Sequence, residues 1–130
     1  MTKKYAVPIA LLLLLSLIML AGWGNYLLLK RDSAALSGAA KKIQVSVEKN
    51  NWDDALSHLN ETLKIWEKSS KYWPMLIHHQ EMDRIEESMN RIKSYLEYQD
   101  SSMSMAELHN LIFYIRHIPE KESLNLQNVF

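Results

Sequence analysis

Between Tyr5 and Leu29 the chain runs 25 residues without one charged side chain. As a helix, at about 1.5 Å per residue, such a run exceeds the roughly 30 Å hydrocarbon thickness of a bilayer and spans it with some tilt. The flanks fit that role. Tyr5 at one end and Trp23 and Tyr26 at the other place amphipathic rings at headgroup depth, with Lys3, Lys4, Lys30 and Arg31 beyond them. The rival is a cleaved signal peptide, with Lys3 and Lys4 as its basic region, Ile9 to Ala21 as its apolar core and Gly22-Trp23-Gly24 as a small-x-small cleavage site. Against it, apolar residues resume at Tyr26-Leu27-Leu28-Leu29, where a mature N-terminus normally turns polar. The chain has no cysteine, which excludes a lipid-modified N-terminal cysteine, disulfides and thiolate metal sites.

The basic residues are balanced across the run, so the positive-inside rule sets orientation weakly, and Asp32 adds little to it. A four-residue tail, 1–4, most simply stays in the cytoplasm. The expected order is then a transmembrane anchor at 5–29, followed outside the cytoplasm by a juxtamembrane helix at 30–50, a bundle core at 51–118 and a C-terminal tail at 119–130.

From Ser33 onward 98 residues remain, enough for one small core. They carry eleven basic and fourteen acidic residues, a net −3. A mildly acidic domain with interspersed charge is a poor nucleic-acid binder and a poor match for anionic lipid surfaces. No glycine occurs from Lys41 to the end, which favours uninterrupted helices. Leu36, Ala40, Ile43 and Val47 alternate steps of four and three, as do Trp52, Leu56, Leu59, Leu63 and Trp66. A third stripe runs Met75, His78, Met82, Ile85, Met89, Ile92 and Leu96, and a fourth runs Leu108, Leu111, Ile115 and Ile118. The fold class expected is all-α: one N-terminal transmembrane helix and a small antiparallel bundle of about four helices.

Helix ends carry their own signals. Asn51 is placed to cap a helix with Asp53 and Asp54 in its first turn, and Pro74 suits a first helical position. Ser104-Met105-Ala106-Glu107 reads as a capping box, and Pro119 is expected to end the last helix after Ile118. Asn51-Trp52-Asp53-Asp54-Ala55-Leu56 with Leu59 and Leu63 also looks like the first helix of a tetratricopeptide unit. No second copy follows at the repeat spacing of about 34 residues, so a repeat array is not expected.

A broader resemblance rests on Asn51-Trp52 with Ala55, Trp66, Trp73, His79-Gln80-Glu81-Met82-Asp83, His117-Ile118-Pro119-Glu120, Glu122 and the terminal Asn128-Val129-Phe130. Together these resemble the family called domain of unknown function 4363, over nearly the whole chain. The resemblance implies a short Firmicutes protein with one N-terminal membrane anchor and a helical domain outside the membrane. His78 stands where the family motif usually has an acid, and Met82 where it has an isoleucine. The family implies a location and a fold rather than a mechanism.

No catalytic motif rises from the chain. There is no Gly-x-Ser-x-Gly elbow and no phosphate-cradling glycine loop, because Gly22, Gly24 and Gly38 all lie within or just beyond the apolar run. No enzyme activity and no cofactor are expected. The sharpest polar candidates are histidines. His79 and Asp83 are four apart on one helix, Glu86 follows near the next turn, and His117 joins them if the last helix packs on the third. His79, Asp83, Glu86 and His117 are the candidate ligands for a divalent ion such as zinc. The blander outcome is a structural polar cluster of His79, Asp83 and His117 with Glu120 at its rim. Met75, Met82 and Met89, spaced by seven with His78 between, admit a copper(I) interpretation, but core filling explains them better. Trp52, Trp66 and Trp73 likewise read as core rather than a ligand cage. Leu124, Leu126, Val129 and Phe130 suggest a tail that docks on the bundle or on a partner.

The expected role is an accessory or scaffolding subunit of a membrane or envelope complex, in a sporulating cell if the bacterial group holds. Its partners are then the bilayer, through 5–29, and a membrane protein. A ligand- or metal-binding bundle and a cell-division-type organiser are the alternatives.

Overall fold

The uncharged run and the first apolar stripe fold as one helix. The computed structural model describes the backbone of residues 3–129, and the side chains of all of these except 125–127 and 129. Helix α1 runs Lys3–Glu48 without a break, 46 residues. Helices α2 (Trp52–Ser69), α3 (His79–Glu97) and α4 (Ser101–Val129) follow, with a 3-10 turn at Trp73–Met75 between α2 and α3. No strand occurs among the described residues. α1 packs along α2 and α4, and α3 packs along α4 and less extensively α2, so the chain is an up-down-up-down bundle.

The two ends of α1 live in different surroundings. Its most apolar stretch is uncovered on every side, and α1 is the one helix among the described residues long and apolar enough to cross a membrane. From Leu29 onward one face sinks into the bundle, through Leu29, Leu36, Ala40, Ile43 and Val47. These meet Ala55, Leu59 and Trp66 of α2, Met82, Ile85, Met89, Ile92 and Leu96 of α3, and Leu108, Leu111, Ile115 and Ile118 of α4 in one continuous core. The core therefore begins at Leu29, and the segment expected as a juxtamembrane helix supplies one of its four walls.

Two of the three connections use the same device. Asn50 adopts a left-handed φ of 53° and Gln99 one of 55°. After α1, the Asn50 and Asn51 amides donate to the carbonyls of Val47 and Ser46, and after α3 the Gln99 and Asp100 amides donate to those of Leu96 and Tyr95. This is the Schellman pattern, which satisfies the last carbonyls of a helix and reverses the chain within a few residues. Asn51 then caps α2 as expected, its Oδ1 accepting from the Asp54 amide at 3.3 Å.

Three expected helix boundaries move. The third helix starts at His79 rather than near Pro74, because the Trp73–Met75 turn is 3-10 and His78 is extended. Met75 accordingly leaves the apolar stripe and is 80% exposed, while Met82 and Met89 are buried. The capping box at Ser104 is displaced one turn upstream: Asp100 accepts from the Met103 amide at 3.0 Å, and Ser104 is a buried residue inside α4.

Pro119 does not end α4. A proline has no amide hydrogen, so the carbonyl four residues earlier, Ile115, loses its helical donor. The Ser33 hydroxyl of α1 donates to that carbonyl at 3.1 Å. A neighbouring helix thus supplies the bond the proline removes, and α4 continues for ten further residues beside α1. The tail expected from 119 is therefore helix. Leu124 is exposed; Leu126 and Val129 as side chains, and Phe130 altogether, lie outside the described residues.

Candidate functional site at the base of the bundle

The end of the bundle from which the uncovered part of α1 emerges gathers the C-terminus of α2, the 3-10 turn, the start of α3 and the second half of α4. Its centre is Asp32. This residue falls on the buried stripe of α1, three positions after Leu29 and four before Leu36, and is only 8% exposed. A carboxylate removed from water needs donors. Trp73 donates through its indole Nε1 to Asp32 Oδ2 at 3.1 Å, and the Tyr72 hydroxyl donates to the same oxygen. Arg31 reaches Oδ1 at 3.4 Å, but its side chain is 73% exposed, and such a pair contributes little.

The electrostatics favour this arrangement. Burial, then the hydrogen bond to Asp32 and its negative charge, raise the Tyr72 phenol above its ordinary value, so it stays a donor. Trp73 is fully buried and packs edge-on against Trp66, with ring centroids 5.4 Å apart. Trp66 in turn donates from Nε1 to Glu86 Oε1 at 3.3 Å. One chain of contacts therefore runs from α1 through the 3-10 turn and α2 to α3.

A second joint ties α4 to α3. Lys121 pairs with Glu81 at 2.9 Å, and higher in the bundle Arg91 pairs with Glu107 at 2.9 Å. Burial pushes the Glu122 carboxyl up, with the charge of Glu81 adding to the effect and Lys121 and His78 opposing it. Glu122 borders a small cavity with Gly22, Asn25, Tyr26 and Leu29 of α1 and with Met75 and Leu76.

The expected histidine cluster is not assembled. His79 and Asp83 are exposed and enter no side-chain hydrogen bond or ion pair among the described residues. Glu86 faces α2 and takes the Trp66 indole. His117 stacks on Phe113, centroids 5.6 Å apart, and reaches Glu120 at 3.9 Å on the exposed side of α4. The reason is helical geometry. The row His79, Asp83, Glu86 winds onto the flank of α3 that meets α2, whereas α4 meets the other flank, where Glu81, Arg84 and Arg91 stand. His117 accordingly borders a cleft with Glu81 and Arg84. Among the described residues no group of three or more histidine or acidic side chains is placed to hold a metal ion.

Asp32, Tyr72 and Trp73 carry the joint, and sequence patterning had given Asp32 no role beyond a flanking charge. A signal was present: Asp32 continues the four-and-three stripe backward from Leu36 to Leu29, and a charge on a buried stripe calls for a partner.

Fold and joint together define an all-helical bundle built onto the end of a long apolar helix. The chain belongs to the family described as domain of unknown function (DUF4363), whose model matches residues 23–129. That match begins at Trp23, within the apolar run, and takes in the whole bundle. No curated protein and no solved structure matches the chain.

Proposed function

We propose that the protein is a single-pass membrane protein of the bacterial envelope, with its bundle outside the cytoplasm, that serves as a non-catalytic scaffold or accessory subunit for a membrane-protein partner. The observation that carries this reading is the continuity of α1: the same unbroken helix is uncovered and apolar at one end and a wall of the core at the other. A bundle joined to its anchor in this way holds whatever it binds at a fixed height and orientation. The continuity also speaks for a retained anchor, since α1 runs on through Gly22-Trp23-Gly24 and within two turns becomes a wall of the core at Leu29.

The test is made in intact cells. A C-terminal reporter is expected to fractionate with membranes and to be cleaved by protease added to protoplasts. A defined partner is expected to co-purify in mild detergent at fixed stoichiometry, and to be weakened by Asp32→Ala, which frees the 3-10 turn from α1. Recovery in the soluble fraction with an N-terminus at Asn25 contradicts the anchor, and a membrane-bound protein that purifies alone contradicts the scaffold.

A further inference from the structure

We propose that the 3-10 turn between α2 and α3 is a second membrane contact, with Met75 inserted into the bilayer interface beside the point where α1 emerges. This rests on α1 being a retained membrane anchor and adds a surface to that reading. Met75 and Leu76 line one cavity with Gly22, Asn25, Tyr26 and Leu29, so the turn stands level with the last residues of the uncharged run, before the first charge at Lys30. At that height Trp23 and Tyr26 are the rings expected at headgroup depth. An apolar side chain 80% exposed at that level faces lipid headgroups and the first acyl carbons, not bulk water.

The exposure of Met75 is a held conformation. Tyr72 and Trp73 both donate to Asp32, Trp73 is fully buried, and Pro74 fixes its own φ. The turn is thereby clamped to α1 on one side of the methionine, and the core residue Ile77 pins it on the other. Lys30, Arg31, Lys68 and Lys71 are exposed around the same end with Glu67 and Glu120 among them, so the charge there is mixed and the apolar side chain carries the contact. α4 adds a second apolar point. Glu122 borders the same cavity, and Leu124, two residues further toward the span, is 58% exposed.

The absence of cysteine makes the test direct, since any introduced cysteine is the sole labelling site. Three variants of the full chain, Leu12→Cys, Met75→Cys and Val45→Cys, are labelled with an environment-sensitive fluorophore. They are placed in nanodiscs of phosphatidylcholine and phosphatidylglycerol, with and without doxyl-labelled lipid. Leu12→Cys reports the anchor and Val45→Cys the far end of the bundle. The expected result is blue-shifted, lipid-quenched emission at Leu12, a smaller blue shift with clear quenching by shallow doxyl lipid at Met75, and neither effect at Val45. Quenching at Leu12 with Met75 behaving like Val45 overturns the second contact and leaves the anchor standing. Loss of quenching at Leu12 as well overturns the anchor and the inference together. Unchanged thermal melting of Met75→Cys shows that its label reports the native turn.

Discussion

The two halves of α1 belong to one unbroken helix yet obey different rules. From Tyr5 to Ala21 the helix is apolar nearly all round and no other described part of the protein covers it. From Leu29 to Glu48 polar residues alternate with apolar ones, and the buried face follows the helical period. The difference teaches that hydropathy and periodicity carry different information: a helix apolar all round suits a lipid surrounding, whereas one between water and a core needs an apolar and a polar side. The change occurs within one turn, between Leu29 and Asp32, and Asp32 is where the bundle is bolted to the helix.

The largest expected effect separates the halves. Ile43→Ala removes a fully buried side chain at the core wall and is expected to cost the bundle about 2–5 kcal/mol, read as a fall in melting temperature in mild detergent. Leu13→Ala, on the uncovered half, is expected to leave that melting unchanged. Equal losses at both positions would erase the distinction.

Next comes the bolt itself. Asp32→Ala leaves the Tyr72 hydroxyl and Trp73 indole without an acceptor, at about 1–3 kcal/mol, while Asp32→Asn keeps an acceptor oxygen and costs less. Tyr72 also makes the joint sensitive to alkali. Its folded value lies above the unfolded 10.0, so its contribution is complete below that pH and is lost as pH rises through the folded value. An alkaline melting series on Tyr72→Phe is expected to lack this decline, and a decline equal to the parent's would assign it elsewhere.

A smaller effect concerns the Ser33 hydrogen bond that ties α1 to α4. Ser33→Ala orphans the Ile115 carbonyl and is expected to cost about 1 kcal/mol. In a Pro119→Ala background the restored amide satisfies that carbonyl, and Ser33→Ala becomes nearly silent. Additive losses in this double-mutant cycle would show that the hydroxyl does not replace the proline's missing donor.

The smallest effect is at Glu122. Because burial raises its carboxyl, the unfolded chain gives up this proton more readily, and stability falls as pH rises from about 4.5 through the folded value. Glu122→Gln is expected to remove that slope and stabilise the bundle near neutrality by about 0.5 kcal/mol or less, since water still reaches the group. Destabilisation at neutral pH would mean that Lys121 and His78 outweigh the burial.

The stripes on all four helices and the Asn51 cap were legible because they depend on neighbours within two turns. What escaped depends on distant residues. Pro119 looks like a stop until Ser33, 82 positions before the orphaned Ile115 carbonyl, supplies the missing hydrogen bond. Asp32 looks like a flanking charge until Tyr72 and Trp73 fold back onto it. Met75 keeps the seven-residue spacing of Met82 and Met89 by coincidence, because the 3-10 turn and extended His78 break the helical phase between them. The histidine cluster failed for a related reason: spacing gives a shared face on one helix but not which neighbour that face meets.

The continuity of α1 is the central claim, and a spin-label scan tests it most directly. Single cysteines placed from Val7 to Val47 in the full chain, reconstituted in nanodiscs, report oxygen accessibility and mobility residue by residue. One unbroken helix predicts uniformly high oxygen accessibility through Leu20, then, from Leu29, immobilisation recurring with the helical period at Leu36, Ala40, Ile43 and Val47, with no mobile stretch between. A run of mobile, water-accessible positions between Gly22 and Leu29 would contradict it, making the apolar segment and the bundle two bodies joined by a hinge.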